Sequence, residues 1–183
     1  MLLAGFVFAC GLIAGVELHA FSLGYACPQS VCVDSAKVKV VTNSDYFIEL
    51  HKALSEAKSS IHIVAFELKY YKSFPTSLQN QIVTDLIDAK KRGVEVKALV
   101  DEYSTDNNAF DILRENGVEV KLDSENVTTH AKLVIIDGKI VLVGSTNLSF
   151  YALEKNNEAN ALIEDEKTAQ EFEDYFQKLW KSF

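Results

Sequence analysis

The sequence predicts an α/β fold, with a mixed, mostly parallel β-sheet sandwiched between helices. Three observations carry that expectation. From Val33 onward, short apolar runs alternate with stretches whose apolar residues recur at helical spacing, the pattern of a layered α/β domain. An Asp137-Gly138 pair sits between two apolar runs, a tight-hairpin signal that makes the sheet mixed rather than wholly parallel. Apolar residues make up 48% and charged residues 24%, which excludes a disordered or fibrous chain.

The elements follow in order. Lys37–Val41 alternates at period two and reads as a strand. Asp45–Ala57 places Phe47, Ile48, Leu50, Leu54 and Ala57 at helical spacing, with Ser44 or Asp45 as the cap. Ile61–Phe66 is a strand. Leu78–Arg92 carries Ile82, Leu86, Ile87 and Ala89 on one face and ends in Lys90-Lys91-Arg92-Gly93, a basic C-terminus with a glycine stop. Val94–Val100 is a strand, Asn108–Asn116 a short helix halted by Gly117, and Val118–Leu122 a strand. Lys132–Ile136 and Ile140–Val143 flank the hairpin turn. Ala159–Ile163 is the last strand. Lys167–Lys181 closes the chain as a helix with Ala169, Phe172, Phe176, Leu179 and Trp180 inward.

The 183 residues fit one domain, over 34–183, plus an appendage. Lys and Arg total 18 against 26 Asp and Glu, a formal charge of −8 that argues against a protein coating a polyanion. Phosphate chemistry in a small site remains compatible, because charges beyond about 8 Å are largely screened. Residues 1–33 hold a single charged side chain, Glu17. Leu2–Val16 is uncharged and apolar, and Ala20–Ala26 again mostly so. Residues 1–26 therefore read as a membrane anchor, with Glu17 and His19 in the headgroup zone, or as a signal peptide cleaved near Gly24-Tyr25-Ala26. The first places the protein on a membrane; the second exports it to a periplasmic or extracellular space. Cys10 reads as a small apolar residue. Cys27 and Cys32 bracket a short loop and either pair in an oxidising compartment or stay free.

The chemistry concentrates in His130–Asn147, HAKLVIIDGKIVLVGSTN. His130 and Lys132 lie two apart at a strand start and face one side. Ser145 and Asn147 have the same relation beyond the hairpin, which folds them back beside the first pair. Gly144 is expected to let the backbone approach a ligand. An imidazole, an ammonium, a hydroxyl and an amide converging on one point suit a phosphate group. Glu158, at the start of the last strand, is placed to hold the far ring nitrogen of His130 and fix its tautomer. His62 reads as a sheet residue or pocket wall, and His51 as a solvated side chain. Tyr70 and Tyr71 either line a groove or pack on the surface.

The pattern H-x-K, four residues, D, six residues, G-S-x-N resembles the signature of the phospholipase D superfamily. Here it is His130, Lys132, Asp137, Gly144, Ser145 and Asn147, at matching spacings, with Glu158 as the downstream acidic residue. The chain has one such motif and is similar to the single-motif branch of small bacterial endonucleases and the mitochondrial cardiolipin hydrolase group. That resemblance implies a phospholipase D-like fold over 34–183 and a homodimer sharing one active site, with no metal and no cofactor. It also implies two-step hydrolysis through a phosphohistidine on His130, with Lys132, Ser145 and Asn147 binding phosphate. Asp137 and Gly144 are then structural, and Glu158 joins His130, Lys132 and Asn147 as catalytic. The substrate is expected to be DNA or RNA, cut as by an endonuclease. The alternative is a membrane phospholipid, and a third reading is a membrane-tethered binding protein without turnover.

Overall fold

The computed structural model describes residues 36–103, 106 and 108–183. The segment 1–26 and the three cysteines lie outside those residues. The elements are β1 (Lys37–Thr42), α1 (Asp45–Glu56), β2 (Ser60–Ala65), α2 (Leu78–Lys91), β3 (Glu95–Val100) and α3 (Phe110–Glu115). They continue with β4 (Glu119–Leu122), β5 (Lys132–Ile136), β6 (Ile140–Gly144), α4 (Phe150–Glu154), β7 (Ala159–Glu164) and α5 (Glu166–Ser182).

The strands form one sheet in the order β1-β7-β6-β5-β2-β3-β4. It is mixed and flanked by helices, as expected, but mostly antiparallel rather than mostly parallel. Only β2–β3 and β3–β4 run parallel. The β1–β7, β7–β6, β6–β5 and β5–β2 pairs are antiparallel. The cause is the length of the connections. Only α2 and α3 act as crossover helices between neighbouring parallel strands. Helix α4, which the periodicity did not reveal, has five residues and is only about 7.5 Å long at 1.5 Å per residue. It cannot carry the chain back along a strand, so β7 returns antiparallel beside β6.

Two apolar layers enclose the sheet. Ile61, Ile63 and Ala65 of β2, with Val96, Ala98 and Val100 of β3, face Leu50 and Leu54 of α1 and Ile82 and Leu86 of α2. Val64, Leu99, Leu133, Ile135 and Val141 face the other way, onto Ala169 and Phe176 of α5. His62 sits in this second layer, buried, with its ring stacked on Phe176 at 4.4 Å. Its Nδ1 meets Glu173 of α5 at 2.8 Å and its Nε2 meets Glu95 of β3 at 2.9 Å. His62 is thus a clasp between sheet and helix. His51 is paired rather than merely solvated: its Nδ1 is 2.7 Å from Asp85 Oδ2, which joins α1 to α2. The α2 C-terminus is basic as read, and Gly93 stops it at φ +90°.

A candidate phosphoryl-transfer site

The β5–β6 register pairs Leu133 with Val143. Continued outward, it brings the residues before β5 alongside those after β6. His130, Lys132, Ser145 and Asn147 therefore meet at one end of the hairpin, while Asp137 and Gly138 turn the chain at the other.

His130 is exposed, and its ring tilts against Phe66 at a centroid distance of 4.8 Å. Among the described residues, no side chain bonds either ring nitrogen, so both are available to a substrate. Lys132 is 8% exposed. Its Nζ donates to the His130 carbonyl oxygen at 2.9 Å and lies 5.0 Å above the Phe66 ring. Burial pushes the ammonium pKa below the usual lysine range; Glu67, Glu158 and Asp101 oppose that shift. Lys132 is therefore a partly desolvated cation in an acidic surround. Asn147 is half-buried, and among the described residues its Oδ1 has no donor. Left unpaired, such an acceptor costs about 1–3 kcal/mol.

The loop before His130 is held from behind. The Thr129 N–H donates to Asp101 Oδ2 at 2.8 Å and to Asp123 Oδ2 at 2.9 Å. Asp123 also accepts from the Glu102 N–H at 2.8 Å.

Three expectations change at this point. Glu158 does not hold the His130 ring; its carboxylate accepts from the Ser145 hydroxyl and, at 2.9 Å, from Asn156 Nδ2. Ser145 accordingly commits its one proton to Glu158, while its oxygen accepts from the Ala159 N–H at 3.1 Å. It braces the acid. Gly144 is required by protein, not by ligand approach: a Cβ there would lie 2.4 Å from Asn160 Oδ1 and 2.5 Å from the Ala159 carbonyl oxygen. The neighbouring strand β7 is the close neighbour.

Asp137 sits in the turn with φ +55°. Its carboxylate accepts from the backbone N–H groups of Lys58, Ser59 and Ser60 at 2.7–3.1 Å and from the Ser59 hydroxyl at 2.9 Å. It ties the hairpin to the start of β2, remote from His130. These bonds hold its pKa below the ordinary carboxylate value, although burial alone would raise it.

Residues outside the motif complete the site. Phe66 supplies the ring beneath both His130 and Lys132. Asn43, at φ +49°, accepts from the Glu158 N–H at 2.8 Å and fixes that acid from the far end of the chain. Buried Asn160 bonds Thr146 twice, accepting from its N–H at 3.2 Å and donating to its hydroxyl at 2.8 Å, which steadies the turn that carries Asn147. The doubled Asn-Asn and Asn160 in the segment around Glu158 were the signal for this, since buried amides organise irregular backbone.

Comparison with known proteins places this geometry in context. A family model described as cardiolipin synthase, PLD-like domain, matches residues 50–180. The mitochondrial cardiolipin hydrolase of Chlamydomonas reinhardtii is 31% identical over 110 residues, covering 58% of this chain and 49% of that protein. A phospholipase D of Rickettsia typhi is 31% identical over 121 residues, 65% of this chain and 55% of that one. The chain spans about half the length of these relatives. Among solved structures, Nuc from Salmonella typhimurium, a phospholipase D family member, is 27% identical and superposes with a TM-score of 0.70 over 80% of this chain and 95% of its own. NucT from Helicobacter pylori, at 23% identity and a TM-score of 0.70, shares the fold.

Proposed function

Because the chain belongs to the phospholipase D superfamily through its PLD-like domain, we propose that it is a metal-independent phosphodiesterase working as a homodimer, with an endonuclease activity on DNA or RNA. The observation that carries this reading is the grouping at one hairpin end of an exposed imidazole that no side chain among the described residues bonds, a partly desolvated ammonium, and a half-buried amide whose N–H groups can donate.

In the first step a His130 ring nitrogen attacks phosphorus, and the P–O bond to the leaving group breaks. The partner's His130 gives its proton to the departing oxygen. In the second step that same imidazole takes a proton from water, the water oxygen attacks phosphorus, and the P–N bond opens. Lys132 and the Asn147 amide N–H groups balance the charge on the non-bridging oxygens. Glu158, braced by Ser145, acts on Lys132 through its charge. Among the described residues one chain brings one imidazole to this hairpin end, and the two-step chemistry uses a second, which a partner chain would supply.

The near-complete overlap with Nuc, over 95% of its chain, supports the compact nuclease reading. The apolar segment 1–26 and the relatives named cardiolipin hydrolase favour a phospholipid substrate with membrane attachment as the second reading. The deciding experiment incubates the full chain, in EDTA, with plasmid, single-stranded oligonucleotides, RNA and cardiolipin vesicles, beside the His130→Asn variant. Cleavage of nucleic acid by the parent alone supports the first reading. Headgroup release without nucleotide release transfers the assignment to lipid, and turnover retained by His130→Asn rejects both.

A further inference from the structure

A cavity of about 590 Å³ opens between the loop after β2 and helix α4, within the size range of small-ligand sites. Tyr71, Phe74, Phe150 and Tyr151 line it with aromatic rings, and Gln79 lines it from α2. Phe74 is 65% exposed and Tyr151 68%. Gln79 is only 1% exposed: its Nε2 donates to Ser77 Oγ at 2.7 Å, while its Oε1 has no donor among the described residues. The wall is held in place. Asn80 Oδ1 accepts from the Tyr71 N–H at 2.8 Å, and its Nδ2 donates to the carbonyl oxygens of Tyr71 at 2.9 Å and Phe74 at 3.1 Å.

The backbone ties the cavity's walls to the site. Leu68 bridges Leu148, with the Leu148 N–H on the Glu67 carbonyl at 3.1 Å and the Lys69 N–H on the Leu148 carbonyl at 2.9 Å. The segments leaving Phe66 and Asn147 thus run side by side into its walls. Phe150 lies three residues past Asn147, at most about 10 Å of extended chain. The Glu67 charge bears on both Lys132 and the Tyr71 hydroxyl.

We infer that this cavity is a nucleobase subsite, holding one base of a single-stranded substrate a few nucleotides from the cleaved phosphate. The inference rests on the nuclease reading above and adds the substrate form. Stacking rings suit any base. Gln79 Oε1 is sealed from solvent and unpaired among the described residues; a base edge settling into this wall supplies the N–H it lacks, and an acyl chain does not. Of the charged residues here, Glu154 lines the cavity, while Lys155 Nζ, 5.5 Å over the Phe150 ring, is the cation available to an adjoining phosphate.

The test measures binding by the full chain carrying His130→Asn, which halts turnover, to a fluorescent single-stranded oligo-dC and to an abasic oligomer of equal length. With the cavity intact, removing the bases is expected to weaken binding about 5- to 150-fold, the span of base–aromatic stacking. In a second protein that also carries Phe74→Ala and Tyr151→Ala, both at exposed positions, the two oligomers are expected to bind alike. Gln79→Met, which keeps volume and removes the acceptor, is expected to lose several-fold for oligo-dC without losing melting temperature. An equal penalty for base removal in both proteins overturns the subsite; if the parent still cuts nucleic acid, the nuclease reading stands without it. No binding to either oligomer overturns both. Cardiolipin-vesicle capture that is lost in the double variant also overturns the subsite, in favour of lipid.

Discussion

Replacing Asp137 by Asn tests whether the motif's acidic residue serves the fold or the reaction. Its carboxylate gathers four donors: the N–H groups of Lys58, Ser59 and Ser60 and the Ser59 hydroxyl. Asparagine tolerates the positive φ of this turn, so backbone strain is not introduced. It does lose the charge and one acceptor oxygen. Oδ1 accepts from all four donors and Oδ2 from the Lys58 N–H alone, so one hydrogen bond, at about 0.5–1.5 kcal/mol, goes with the charge, and the loss is about 1–2 kcal/mol for this partly exposed group. For a domain of this size that lowers the melting temperature by about 2–8 °C. The pH dependence has a definite sign. The folded pKa lies below the unfolded one, so the stabilisation is full above the unfolded value near 3.8 and is lost as pH falls through the folded value. Urea titrations of parent and variant at pH 7 and pH 3 should therefore show a gap that narrows in acid. Activity per folded molecule should persist, because the turn lies at the hairpin end away from His130. An unchanged midpoint at pH 7, or a catalytic collapse in a variant that remains folded, would refute the structural role.

Three further outcomes are expected. His130→Asn should remove at least about 10⁴-fold of phosphodiester hydrolysis, the upper range for one acid–base group, with no change in melting, since the ring is exposed; single-turnover assays with intact protein check it. Lys132 titrates below the usual lysine range, so the alkaline limb of kcat/KM should fall below the ordinary lysine value, as the folded protein gives up that proton early. Lys132→Arg, charged throughout, should lose that limb while retaining a reduced rate, and a limb that persists would rule Lys132 out as its source. Gly144→Ala drives a Cβ into β7 backbone and should cost about 1–3 kcal/mol, read as a lower urea midpoint; parent-like stability would contradict the close strand approach.

Much of the fold was legible because period-two and helical spacings report burial directly. Residues 167–181 show this: Phe172, Phe176, Leu179 and Trp180 all pack on the second apolar layer. Strand direction was not legible, because it depends on connection geometry; a five-residue helix without a side-chain cap gives too little periodicity to see. The site divides in the same way. His130, Lys132 and Asn147 were visible because hairpin register follows from local spacing. The partners of Glu158 were not, since Asn43 reaches it across 115 residues. Ser145 was assigned to a phosphate and Glu158 to the His130 ring, whereas in the structure they bond one another. Phe66 was hidden because an aromatic residue at a strand end gives no sign of which side chains will lie over its face.

An ammonium head has three protons and, left alone, spins about its stem. In Lys132 one proton is tethered to the main chain of the very residue that carries the exposed imidazole. The other two are thereby set on fixed bearings. A shift of the imidazole's backbone would carry them along, so ring and cation travel as one piece.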